Sequence, residues 1–229
     1  MKVGFRVRVP VPPPIKKNNM LDIPKIQPEF ITIEEQQELN AWTLANYQSK
    51  FFSDARMGVP GTRFTTRYFK QENSLAFPEC AHFIRDRIKS HFNMKNDLLP
   101  GYCHGIVTGI GFDGGDIFLH KDPSWHKGHY TVHCNIVTQY PEIGGITNIE
   151  GIEYKTGERD LLIYPVSEMA HAVSTIRGTT PRILWVFGFS LPREDNIDWV
   201  VTSSDEEEKR LIDDIVNLTS EIYDLDYAK

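Results

Sequence analysis

The pattern of apolar and polar positions changes character near residue 100. Before that point it has helical spacing. Thr32 and Glu35 form a capping-box pattern at the start of "ITIEEQQELNAWTLANYQ", in which Leu39, Trp42 and Ala45 fall on one face. A second helix is expected over "FPECAHFIRDRIKSHF". Pro78 suits a first turn, Cys80, Phe83, Ile84 and Ile88 give an apolar stripe, and Arg85, Arg87 and Lys89 point to water. Beyond residue 100, short runs rich in β-branched and aromatic residues alternate with glycine-bearing turns: "GYCHGIVTGI", "DIFLH", "HYTVHCNIV", "GGITNIE", "DLLIYP", "AHAVSTI" and "RILWVFGFSL". Seven short strands with turn signals between them predict a sandwich or barrel rather than βαβ units. The tail "SSDEEEKRLIDDIVNLTSEIYDL" predicts a third helix. Ser204 and Glu207 form its capping box, acids fill its first turn, and Leu211, Ile215, Leu218 and Ile222 form its buried stripe.

The segment "PVPPPIKKNN" cannot lie inside a helix, because each proline lacks an N–H and fixes its own φ. The expected organisation is therefore a proline-rich arm over residues 1–30, a helical support region over 31–99, a β core over 100–192 and an acidic C-terminal helix over 193–229. These make one catalytic domain overall, mainly β with flanking helices.

Composition narrows the class without naming it. The 229 residues are 40% apolar and 24% charged, an ordinary globular balance. No apolar run approaches bilayer-spanning length, and the N-terminus lacks the apolar core and cleavage site of a signal peptide, so a cytoplasmic protein is expected. The three cysteines, Cys80, Cys103 and Cys134, form no C-x-x-C pair. That argues against a disulfide framework or a thiolate zinc site and fits a reducing compartment. A net charge of −6 leans away from a protein built to grip phosphate backbone.

Candidate chemistry centres on "FLHKDPSW", residues 118–125. His120 and Asp122 are two apart at a strand end, so both side chains point to one face and can converge on a metal. A third ligand must come from elsewhere, and His171 opens a later strand. Two histidines and one carboxylate form a facial triad that leaves three adjacent positions open on an octahedral iron, two for a chelating co-substrate and one for dioxygen. Arg182, eleven residues past His171, begins the apolar run "RILWVFGF". A charge there is costly unless paired, and the guanidinium fork matches a carboxylate, so the position asks for an acidic ligand.

H-x-D, then a histidine about fifty residues on, then an arginine in an apolar strand, resembles the Fe(II)- and 2-oxoglutarate-dependent oxygenase superfamily. The flanks "FDGGDIFLHKD", Gly144–Gly145 and "GERDLLIYPVSEMAHAV" resemble its prolyl-hydroxylase-like branch, over roughly residues 100–192. The resemblance implies a double-stranded β-helix, a jelly-roll and cupin-like fold. It implies Fe(II) on His120, Asp122 and His171, and Arg182 on the distal carboxylate of 2-oxoglutarate. It also implies hydroxylation of an unactivated C–H bond of a small molecule, amino acid or peptidyl residue, with O2 consumed and succinate and CO2 released. A carboxylate at position 122 favours hydroxylation over halogenation. The best-known animal members of that branch often use lysine where this chain has Arg182, so prolyl specificity does not follow.

Other residues carry two readings each. His133 and Asn135 share a strand face and line the 2-oxoglutarate or substrate pocket, or else are polar residues of core or surface. Tyr102 and His104 sit on the strand before the motif and are candidates to hydrogen-bond the co-substrate. Trp125 caps the substrate opening or packs under a loop. His126 and His129 read as a loop entering a strand more than as a second metal site. "SDARMGVPGTRFTTRYFK" gathers Arg56, Arg63, Arg67 and Lys70; an exposed β-ribbon is the plainer reading, and a nucleic-acid or carboxylate-substrate surface, with Arg63 or Arg67 clamping a carboxylate, the sharper one. Two functions compete with hydroxylation. One is oxidative demethylation of alkylated nucleic acid, whose branch carries a second arginine where this chain has Gly188. The other is a non-catalytic metal-binding jelly roll.

Overall fold

A computed structural model of the chain describes residues 24–53, 58–66, 77–91, 105–122 and 129–192. The expected C-terminal helix and most of the proline-rich arm lie outside them. Eight strands follow residue 105: β4 (Ile106–Gly111), β5 (Ile117–His120), β6 (His129–Gln139), β7 (Thr147–Ile149), β8 (Ile152–Tyr154), β9 (Leu161–Pro165), β10 (His171–Val173) and β11 (Arg182–Pro192). All seven expected strands are among them, and β8 is added. Three more precede residue 66: β1 (Lys25–Gln27), β2 (Phe52–Ser53) and β3 (Arg63–Thr65). The helices are α1 (Ile33–Lys50) and α2 (Glu79–His91).

The strands form two antiparallel sheets, one ordered β1-β9-β6-β11-β4-β3-β2 and the other β5-β10-β7-β8. From β4 onward the chain passes from one sheet to the other and back: β4 large, β5 small, β6 large, β7 and β8 small, β9 large, β10 small, β11 large. This winding is a double-stranded β-helix. Within the segment expected as an exposed ribbon, the described residues form sheet edge, with β3 paired to β4 and β2 to β3.

Period-two alternation divides the large sheet's two faces between different tasks. Ile183, Trp185, Phe187 and Phe189 of β11, with Val132, Cys134 and Ile136 of β6, pack in one core with Leu39 of α1 and Ala81, Ile84 and Ile88 of α2. The residues between them, His133 and Asn135 on β6 and Arg182, Leu184 and Val186 on β11, lie on the opposite face, toward the small sheet.

Both helices bury most of the expected stripe, Leu39 and Trp42 in α1 and Cys80, Ile84 and Ile88 in α2, with one exception in each. In α1 the capping box of Thr32 and Glu35 is present, but Ala45 is exposed and Thr43 is buried. The Thr43 hydroxyl donates to the Leu39 carbonyl at 2.9 Å and meets the Thr108 hydroxyl at 3.4 Å, so a polar side chain is satisfied inside the core. In α2, Phe83 is exposed and Arg85 is buried, its guanidinium 5.9 Å from the Phe189 ring. The buried stripe runs through Cys80, Ala81, Ile84 and Ile88, and Phe83 lies a hundred degrees from Ile84.

Candidate metal centre and co-substrate cavity

His120 ends β5, and a register shift sets its geometry. β10 pairs with β5 as His171↔His120 but Val173↔Ile117, so β5 carries one extra residue. Such a bulge re-aims side chains, and here both Ile117 and His120 face inward although three apart. His120 Nδ1 lies 2.8 Å from the Phe118 carbonyl and His171 Nδ1 3.1 Å from the Met169 carbonyl. Each contact fixes a ring with Nε2 toward the site. Asp122 follows the strand, its N–H donating to the Val166 carbonyl at 3.0 Å.

Ligand atoms of His120, Asp122 and His171 lie within 4.8 Å of one another. His120 Nε2 is 3.4 Å from Asp122 Oδ1, and His171 Nε2 is 3.9 Å from Oδ2. Burial alone would raise the Asp122 carboxyl, but the His120 hydrogen bond and the surrounding imidazoles hold it at about 2. Burial pulls His120 down, yet bonds to Asp122 and the Phe118 carbonyl leave it raised; His171 is lowered by burial. A carboxylate held ionised between imidazoles that present Nε2 is a set of donors that could hold a metal ion.

Arg182 lies at the start of β11, 5% exposed. Its Nε donates to the Gly145 carbonyl at 2.6 Å and its Nη2 to Thr147 Oγ1 at 3.3 Å. No carboxylate among the described residues pairs with it, and burial pushes it down to about 10. Gly145 has φ +64°, and a Cβ there would stand 2.9 Å from Arg182 Cδ, so the arginine stem requires a glycine beside it. A cavity of about 470 Å³, including its open mouth, is lined by Arg63, Val107, Asp116, Ile117, Val173 and Arg182, among others. It joins the arginine to the strands that carry the two histidines. Arg63, Gly111 and Arg182 form one row across β3, β4 and β11.

His120, Asp122 and His171 are thus brought together, and Arg182 is buried on a cavity that Ile117 of β5 and Val173 of β10 also line. His133 stands beside the cluster, its Nε2 3.7 Å from Asp122 Oδ2, and burial pushes it down to about 4. Asn135, also buried, donates from Nδ2 to the Tyr164 hydroxyl at 3.2 Å, while its Oδ1 has no partner among the described residues. Arg63 is half-buried on the cavity wall. Tyr102, Trp125 and Arg67 lie outside the described residues. Sequence reasoning missed Tyr164 and Thr147. Tyr164 is buried, pairs with His133 across the sheet and places its ring 5.4 Å from that of His171. Its only advance signal was its place two residues after Leu162, on one strand face.

The architecture matches solved structures of 2-oxoglutarate oxygenases. A prolyl-4-hydroxylase of Pseudomonas putida superposes with a TM-score of 0.51 at 12% identity, over 74% of this chain and 92% of that one. HygX of Streptomyces hygroscopicus, solved with nickel, 2-oxoglutarate and hygromycin B bound, gives 0.54 at 11%, over 74% and 82%. A viral collagen prolyl hydroxylase from Paramecium Bursaria Chlorella virus-1 gives 0.51 at 11%, over 73% and 90%. No protein-family model and no curated protein matches the sequence. The fold is therefore that of the prolyl-hydroxylase-like 2-oxoglutarate oxygenases, a double-stranded β-helix.

Proposed function

We propose that this protein is an Fe(II)- and 2-oxoglutarate-dependent dioxygenase that hydroxylates an unactivated C–H bond of a small molecule, amino acid or peptidyl residue. The observation that carries the reading is the closure of His120, Asp122 and His171 within 4.8 Å, with β5 and β10 also lining a cavity that holds a buried arginine with no carboxylate partner among the described residues. Structures of this fold act on such substrates or hold such ligands: two are prolyl hydroxylases and one holds 2-oxoglutarate with hygromycin B.

In this reading His120 Nε2, Asp122 and His171 Nε2 hold the metal, and the carbonyls of Phe118 and Met169 keep both rings turned toward it. Arg182 takes the distal carboxylate, its fork held by Gly145 and Thr147. When bound, iron and 2-oxoglutarate supply the oxidation, in which O2 delivers one oxygen atom to the substrate and the other to succinate as CO2 leaves. The Asn135 amide contacts the Tyr164 hydroxyl, and with His133 it is a candidate to line the co-substrate or substrate pocket. Tyr102 is a further candidate donor to the co-substrate. Trp125, Arg63 and Arg67 are candidates for the substrate side, and cysteine usage supports a cytoplasmic setting. No helix among the described residues is long and apolar enough to cross a membrane.

The test is anaerobic addition of Fe(II), then 2-oxoglutarate, with the visible charge-transfer band of the chelate as readout. The wild type should show the band, and Asp122→Ala should lose it and with it 2-oxoglutarate-dependent succinate formation. A folded wild type with no band, or an active Asp122→Ala hydroxylase, would refute the reading.

A further inference from the structure

Three imidazoles, not two, converge on Asp122. His120 Nε2 approaches Oδ1 at 3.4 Å, while His171 Nε2 and His133 Nε2 both approach Oδ2, at 3.9 and 3.7 Å. The mutual 4.8 Å cluster is nevertheless His120, Asp122 and His171, without His133. His133 is also held differently from the other two. It lies inside the long strand β6, paired to Tyr164 of β9 on one side and Gly188 of β11 on the other. Its side chain is 12% exposed, so it is largely shielded from solvent. A polar ring enclosed there needs a partner, and the Asp122 carboxylate faces it.

We propose that His133 is a positioning residue of the metal centre: its Nε2–H donates to Asp122 Oδ2 and holds the carboxylate so that it binds the metal through Oδ1 alone. At 3.7 Å the pair stands beyond hydrogen-bond length, so the bond forms only when the carboxylate turns toward His133. The consequence is coordinative. A carboxylate free to rotate can take a metal through both oxygens and so occupy one of the three positions that the chelating co-substrate and dioxygen require. Hydrogen bonds to ligating carboxylates set this choice in metal sites generally. The inference rests on the reading of His120, Asp122 and His171 as the ligands.

The experiment uses the full chain without oxygen, with Co(II) as probe, and compares wild type, His133→Leu and His133→Gln. Affinity comes from titration, and coordination from the visible d–d bands. His133→Leu should bind Co(II) roughly 10–100-fold more weakly with altered bands. His133→Gln, whose amide N–H reaches a similar point, should recover most of the affinity and the wild-type spectrum. Wild-type affinity and bands in folded His133→Leu would overturn the proposal and leave the ligand set intact. A folded Gln variant as weak as the Leu variant would also overturn it, because the imidazole would then be a ligand itself. If the wild type binds no Co(II), the ligand reading falls, and this inference with it.

Discussion

Arg182→Met removes a charge and keeps the side chain's length. In the ligand-free protein that charge is a burden. Burial holds the guanidinium at about 10 against an ordinary 12.5, which corresponds to about 3 kcal/mol of unfavourable charge burial. Gly145 and Thr147 engage two of its N–H groups, leaving the rest of the fork for an incoming carboxylate. Losing one partner of a buried, hydrogen-bonded charge pair costs roughly 2–5 kcal/mol, or about 30- to 5,000-fold in affinity. The assay is anaerobic calorimetric titration with 2-oxoglutarate and with 2-oxobutyrate, which lacks the distal carboxylate. The wild type should favour 2-oxoglutarate by a factor in that range, and Arg182→Met should bind the two alike. Without ligand, the variant should melt no lower than the wild type, because an apolar replacement relieves an unpaired buried charge. A variant that keeps the wild-type preference for the dicarboxylate would refute the assignment of Arg182.

Other outcomes follow from separate parts of the structure. Arg63→Gln should leave 2-oxoglutarate affinity within a few-fold of wild type while raising the KM of a carboxylate-bearing substrate; a loss as large as that of Arg182→Met would move Arg63 to the co-substrate. Gly144→Ala should destabilise the protein by about 3 kcal/mol or more, roughly 6–12 °C in Tm, because φ is +75° and the new Cβ would stand 1.9 Å from the Thr175 carbonyl oxygen. Gly151→Ala, at φ +82° with open space around it, isolates the conformational part and should cost about 1 kcal/mol; equal melting losses would refute the steric account. Glu142 accepts bonds from Thr179 and Thr180, and these, with its own backbone contact, hold its carboxyl at about 2, below the ordinary 4.5. The stability it adds is therefore full above pH 4.5 and lost as pH falls through about 2. Glu142→Gln should melt lower than wild type at pH 6, with the gap closing toward pH 2; a gap independent of pH would point to packing instead.

Much of this was legible because the β core obeys a simple period. Alternation along "TVHCNIV" and "RILWVFGF" separates the residues under the helices from those facing the site, and glycines and prolines mark the turns. Strands of two or three residues, such as β1 to β3, cannot display a period, and their pairing depends on exposed edges far along the chain. Thr43 and Arg85 defeated the helical pattern because each is buried with its polar group engaged, whereas patterning counts both as surface. The H-x-D order and spacing pointed to three ligands. That His133 would reach the same carboxylate was hidden, because it depends on how β6 is laid against the end of β5, which no local spacing encodes.

The extra residue in β5 makes the site depend on the length of the chain there rather than on its lettering. Phe118 and Leu119, between Ile117 and His120, are 53% and 62% exposed, so many side chains can replace them without touching the interior. Removing either one is a different matter. The strand would return to strict alternation, and residues three apart would become residues two apart with a new frame. The imidazole would then lose its place opposite His171, or its Nε2 would no longer meet Asp122. A single-codon deletion in that short stretch would dismantle what a dozen substitutions there would leave standing.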